Sequence, residues 1–326
     1  MINLALVIMG NTKLDSKAQP GNATVSYTSK YHFNTRPHHE PLRVLSEEDW
    51  KFWKNNGYVV VKQAVPTGNI EALVNLIWEF EEKDPKDRTT WYRTTNTKRA
   101  IKMTELKGTG MVEVYNHQTL WNNRQHQRVY DAFVDIWGTE SLWVSIDRAN
   151  LNLPHPRRQG TPSFIHWDID TSLDPKPVNV QGVLALNQQT DPQMGGFQCI
   201  PALYREFDAW VKTQPADRDP FKPDISGFEI EKVALEAGDL LIWDSMLAHG
   251  IRSNLSDQPR LAQYIAMTPA RPDNEALRQW RVRSWRDRII PEGYPFPGDP
   301  RNWEQTRYRR AKLSELGEKL LGLQLW

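Results

Sequence analysis

Hydrophobic and polar positions change rhythm twice along the chain. Between residues 46 and 137 the spacing is mostly helical. Ser46-Glu47-Glu48-Asp49 has the form of a capping box ahead of Trp50, Phe52 and Trp53, and Gly57 supplies a stop. The β-branched run 58–62 reads as a strand. Over 70–82, Ile70, Leu73, Val74, Ile77 and Phe80 form a helical stripe, and 127–137 repeats the pattern with Val129, Phe133 and Val134.

From Leu142 the texture becomes short apolar runs broken by Gly, Pro and Asp. Strands are predicted over 142–146, 163–169, 178–187, 196–200, 229–234, 239–243 and 260–267. Many short strands separated by turns such as Gly195-Gly196 and Glu236–Asp239 predict a mainly β, antiparallel sandwich or barrel. Beyond Pro269 the chain turns helical and Arg-rich, passes a Pro/Gly loop over 291–300, and ends in a short amphipathic helix within 313–325. With no internal repeat and no linker, the simplest organisation is a loose arm over 1–43, rich in Asn, Thr, Ser, Pro and His, followed by one domain over 44–326. That domain carries helical additions at both ends, the C-terminal one Arg/Trp-rich from about residue 270.

Composition narrows the partners. Forty-one Lys and Arg against 40 Asp and Glu leave a net charge of +1, which offers no general attraction to nucleic acid or an anionic membrane. Cys199 is the only cysteine, so neither an intrachain disulfide nor a Cys-based zinc site can form. The apolar opening over 1–10 lacks a basic leader and a cleavage site, and no run reaches the about 18–20 apolar residues of a membrane span. A cytoplasmic protein, monomeric or homodimeric, acting on a small molecule is expected. Fourteen tryptophans fill a large core or line an apolar pocket.

Candidate chemistry centres on His166-Trp167-Asp168. On a strand, positions i and i+2 face the same way, so the imidazole and carboxylate converge while Trp167 points into the core. A third ligand is required, and His249 supplies it beyond the strand at 239–243. Two histidines and one carboxylate on one face form the facial triad of non-haem iron(II) oxygenases, which leaves the opposite positions open for co-substrate and dioxygen. Arg260 opens the next strand, where its guanidinium can grip a carboxylate bidentately.

In these residues the chain resembles the phytanoyl-CoA dioxygenase family of iron(II)/2-oxoglutarate oxygenases. The resemblance covers about 44–270 and rests on His166-x-Asp168, Gly238-Asp239 leading to His249, and the spacing to Arg260. It also rests on Val183–Leu186 through Gly195–Pro201, and on Trp53-x-x-x-Gly57-Tyr58-Val-Val-Val61. It implies a double-stranded β-helix (jelly roll, cupin-like), with Fe(II) on the triad and 2-oxoglutarate chelating it. Arg260 would hold the remote carboxylate of that co-substrate, and dioxygen would oxidise the substrate as succinate and carbon dioxide leave. The family commonly places a hydroxyl two residues after the distal histidine; here Ile251 stands there and Ser253 is offered instead. An aspartate at 168 rather than a small residue implies hydroxylation, desaturation or ring closure rather than halogenation. The expected activity is hydroxylation of an unactivated C–H bond of a small organic substrate, with secondary metabolism as one setting. The alternatives are a non-catalytic jelly-roll binding module and an oxygenase acting on a protein or tRNA side chain.

Other residues carry weaker signals. Asn150, in the alternating row Arg148, Asn150, Asn152, either contacts co-substrate or belongs to an exposed strand face. Gln181 begins the strand after the ligand strand and can reach the pocket, and Trp243 either packs or lines it. His38, His39 and His155 read as surface residues, His117 and His126 as solvated or hydrogen-bonded. The arginines between 278 and 288 read as a solvated amphipathic helix, and residues 91–107 as part of the substrate pocket.

Overall fold

The computed structural model describes residues 41–92, 110–154, 164–291 and 298–326. Most of the expected arm, the histidines at 38, 39 and 155, most of the 91–107 pocket segment and the centre of the Pro/Gly loop lie outside the described residues.

Helix α1 (Glu47–Asn56) starts at the capping box and stops at Gly57, whose φ of 72° is the left-handed conformation a glycine adopts cheaply. Strand β1 (Tyr58–Val61) follows directly. Helix α2 (Thr67–Phe80) begins three residues before the predicted stripe, after Pro66, and ends before Glu82, whose φ is 53°. Then come β2 (Met111–Val112), α3 (Gln118–Arg124), α4 (Gln127–Trp137), β3 (Leu142–Val144) and β4 (Ala149–Asn152). The second half runs β5 (Val180–Ala185), β6 (Gly196–Cys199), α5 (Pro201–Trp210), β7 (Glu231–Lys232), β8 (Leu240–Asp244), β9 (His249–Arg252), β10 (Arg260–Tyr264) and β11 (Met267–Pro269). Helices α6 (Glu275–Asp287), α7 (Trp303–Thr306) and α8 (Glu315–Leu321) close the chain.

Six strands form one antiparallel sheet in the order β1-β8-β5-β10-β4-β2; β7-β6-β9 form a second, and β11-β3 a short third. The central strands of the large sheet are buried on both faces, and alternate residues join different cores. Leu241 and Trp243 of β8 and Val183 and Ala185 of β5 pack inward against Phe197 and Cys199 of the small sheet. Their neighbours Leu240, Ile242 and Leu184 face the other way, onto Trp50, Trp53, Leu73, Phe133 and Leu320 from the helices. This is the double-stranded β-helix, with helical additions from both ends covering the outer face of the large sheet.

Three expectations change. Residues 164–169 are not a strand: only His166 forms an isolated bridge, to His249, and the Trp167 amide donates instead to Phe221 O of a distant loop. The predicted strand 260–267 divides into β10 and β11, because Ile265 donates to Gly182 O while Met267 pairs with Val144 of β3. The Arg-rich helix is not simply solvated. Arg281 is buried, its guanidinium lies over Trp143, and it donates to the carbonyls of Val144, Leu320 and Leu321, which docks α8 against β3.

Candidate metal centre

The ligand segment is held from both sides. Trp167, 1% exposed, packs edge-on against Phe207 and Trp210 of α5, with centroids at 5.6 Å in both pairs, and its Nε1 donates to Met246 O at 2.9 Å. That anchor is the core role expected of it, and it leaves His166 and Asp168 on the opposite side. His249 opens β9 rather than ending the preceding strand; the turn from Asp244, closed by Leu247 N donating to Asp244 O, intervenes. His166 and His249 then exchange both backbone hydrogen bonds, at 2.9 and 3.0 Å. Glycine is required next: a Cβ on Gly250 would stand 1.8 Å from Phe164 O.

The triad therefore converges without the predicted strand. One ligand atom from each of His166, Asp168 and His249 lies within 4.8 Å of the others. His166 Nε2 is 3.2 Å from Asp168 Oδ1, and His249 Nε2 is 3.4 Å from Oδ2. His249 Nδ1 is 2.9 Å from Leu247 O; a carbonyl can only accept, so Nδ1 carries the hydrogen and the Nε2 lone pair is left for an ion. When the two rings carry their protons, hydrogen bonds and charge from His166 and His249 outweigh the burial that works to raise the Asp168 carboxyl and hold it well below the usual carboxylate range; an ion on Nε2 replaces that proton. An anionic oxygen and two ring nitrogens suit a borderline divalent ion such as iron(II).

Gln181 reaches this centre. On β5 it shares the inward face with Val183, and its Nε2 donates to Asp168 Oδ2 at 2.6 Å, so it meets the ligand carboxylate itself. Trp243, opposite Gln181, lies 5.2 Å from the His249 ring, and Phe197 stacks on the same imidazole at 5.6 Å. Trp243 thus packs and borders the candidate ligands at once. Phe164, 42% exposed, stacks on His166 at 4.7 Å and presents an open apolar face beside the triad.

Arg260 is buried on the inward face of β10, its Nε donating to Gln189 Oε1 at 2.8 Å. Burial lowers its pKa. Asn152 pairs with Arg260, and Asn150 with Ala262, so the polar row of β4 faces the interior rather than forming an exposed face. Arg148 is buried there too, 3.4 Å from Glu113 Oε1. Ser253 follows β9 and is partly exposed. His117 and His126 precede α3 and α4 as their caps.

Sequence reasoning missed several neighbours of the site, Phe197 and Gln189 among them. Phe164 acts through its ring on His166, which no spacing rule indicates. Arg252 is brought toward Arg260 by the pairing of β9 with Gly196.

Residues 53–262 match the family described as phytanoyl-CoA dioxygenase (PhyH). The Ava biosynthesis cluster protein O of Aspergillus versicolor is 26% identical over 249 residues, covering 68% of this chain and 78% of that protein. A Dictyostelium discoideum protein named as a candidate phytanoyl-CoA dioxygenase is 22% identical over 280 residues, covering 71% and 78%. Among solved structures, GlcNAc Inducible Gene 2 of Candida albicans shares the fold, with a TM-score of 0.60 at 13% identity over 85% of this chain and 76% of that one. The matched region spans well over half of the sequence and includes the triad and Arg260, so this chain belongs to the phytanoyl-CoA dioxygenase family.

Proposed function

We propose that this chain is an iron(II)- and 2-oxoglutarate-dependent dioxygenase that hydroxylates a C–H bond of a small organic molecule with an apolar surface. The observation that carries the reading is the convergence of His166, Asp168 and His249 on one point, with the carboxylate braced by Gln181. When bound, iron with 2-oxoglutarate and dioxygen supplies the oxidation, and the co-substrate leaves as succinate and carbon dioxide.

The chain's own residues do the positioning. Three ligands on one side leave the opposite coordination positions open. Arg260 takes the remote carboxylate of 2-oxoglutarate, a role supported by its burial on the inward face of β10 and by the fork geometry of a guanidinium. Trp243 and Phe197 keep water from one side of His249, and the open face of Phe164 favours an apolar substrate surface. The Aspergillus relative's name ties that protein to a biosynthesis cluster, which favours a small molecule over a macromolecule here.

The test is succinate release from anaerobically iron-loaded protein, started with dioxygen across a panel of apolar metabolites. Substrate-stimulated succinate is expected from the wild type and none from His166→Ala or Asp168→Ala. Absence of succinate with every substrate, alongside intact metal binding, would favour a binding module instead.

A further inference from the structure

We propose that Arg252 is a second guanidinium anchor for the remote carboxylate of the co-substrate, acting beside Arg260 in the place a hydroxyl was expected to fill. The inference rests on the iron and 2-oxoglutarate reading of the site. Gly196 of β6 pairs with Arg252 of β9 and has a φ of 99°. A Cβ built on it would lie 3.6 Å from Arg252 Nη2, 3.6 Å from Arg260 Nε and 3.7 Å from Gln189 Oε1. The glycine thus leaves side-chain space open between two guanidinium groups that come from different sheets.

Both arginines are more than nine-tenths buried, at 9% and 1% exposure, and neither forms an ion pair with a carboxylate among the described residues. Arg252 Nη1 donates to Pro192 O at 2.6 Å, which fixes the side chain. Its Nε is a buried donor with no partner among the described residues. Asp191 acts on Arg252 only at a distance, since its carboxylate accepts from Gln193 N in its own turn. Burial and the neighbouring Arg260 both disfavour the charge on Arg252. Two like charges held this way call for an anion, and a carboxylate is the anion whose planar oxygens match guanidinium forks. Ile251, two residues past His249, offers no hydrogen bond, so the polar contact moves one residue on and changes from hydroxyl to cation. Such a pocket favours a keto acid with a second, remote carboxylate over one that lacks it.

The test is calorimetric titration of the full-length protein loaded with nickel(II), a redox-silent ion, with 2-oxoglutarate and separately with pyruvate. Arg252→Gln should weaken 2-oxoglutarate by about 10- to 100-fold. Nickel and pyruvate binding should stay as in the wild type, and Arg252→Lys should recover part of the loss. The proposal is overturned if Arg252→Gln and Arg252→Lys both bind 2-oxoglutarate normally while Arg260→Gln does not, an outcome that leaves the functional reading standing. If wild-type protein binds nickel but no 2-oxoglutarate, both fall together. Should Arg252→Gln fail to fold, the Lys variant decides alone, since a cation on a different stem cannot reproduce the fork.

Discussion

Gln181 Nε2 donates to Asp168 Oδ2 at 2.6 Å, which ties the one anionic ligand of the triad to the large sheet. The segment carrying Asp168 has little regular structure of its own, so this bond limits how the carboxylate can rotate. Gln181→Met keeps the volume and removes the donor. It should lower metal affinity or turnover by about 10- to 100-fold, the usual cost of losing a residue that orients a ligand. Competition with a chromophoric chelator reads the affinity, and wild-type binding would remove Gln181 from the site.

Gly250 permits the close approach of the two ligand segments. In Gly250→Ala the new methyl would meet the Phe164 carbonyl oxygen at 1.8 Å and its carbon at 2.9 Å, both main-chain atoms that cannot rotate away. His166 and His249 must then separate. A destabilisation of about 1–3 kcal/mol or more is expected, with loss of metal binding. Thermal unfolding with and without the ion checks it: the variant should lose the metal-dependent rise in midpoint.

Trp167 is the anchor on the other side. Trp167→Ala removes its contacts with Phe207 and Trp210 and its hydrogen bond to Met246 O, at a cost of about 3–5 kcal/mol. Denaturant unfolding measures the loss. Trp167→Phe should retain most of the stability yet bind metal less tightly, because the tie to the turn before His249 is gone.

Asp244 ends β8, accepts from Met246 N and from the Tyr204 hydroxyl, and has its carboxyl pushed up to about 6 by burial. Its folded value lies above the unfolded one, so its contribution to stability is fully present below about pH 4 and is lost as pH rises through about 6. In Asp244→Asn the carbonyl keeps the Met246 N–H, and the amide can donate to the Tyr204 oxygen. The variant should match the wild type near pH 4 and exceed it at pH 8 by about 1–3 kcal/mol. Urea midpoints across that range decide it. Glu304, raised to about 7 by burial, bends both curves the same way and cancels in the difference.

Local signals were the most legible part of the sequence. The capping box and glycine stop of α1 and the apolar stripe of α4 appear at the positions their chemistry dictates. The apolar runs of β5 and β8 were legible as strands, but not which residues face which core, because both strands are buried along their whole length. The triad was readable from ligand type, but the argument that Asp168 and His166 share a strand face was not: tertiary hydrogen bonds to Phe221, Gln181 and His249 set that segment. Helix α5 was missed although Pro201 at its first turn and Leu203, Phe207 and Trp210 at helical spacing mark it, because the strand before it runs straight into the proline. Buried Arg281 and Arg252 were not legible either, since their partners are main-chain carbonyls supplied by distant segments.

The backbone bridge between His166 and His249 has a broader consequence. Residues that exchange both hydrogen bonds in an antiparallel pair have their Cα atoms about 5.5 Å apart whatever side chains surround them. The separation of the two histidine backbones is therefore ruled by peptide dimensions, and the rings they carry lie 4.8 Å apart. Changes in surrounding side chains such as Phe164 can therefore turn the rings but cannot pull the two backbones apart, because the gauge that spaces the candidate ligands is written in the main chain.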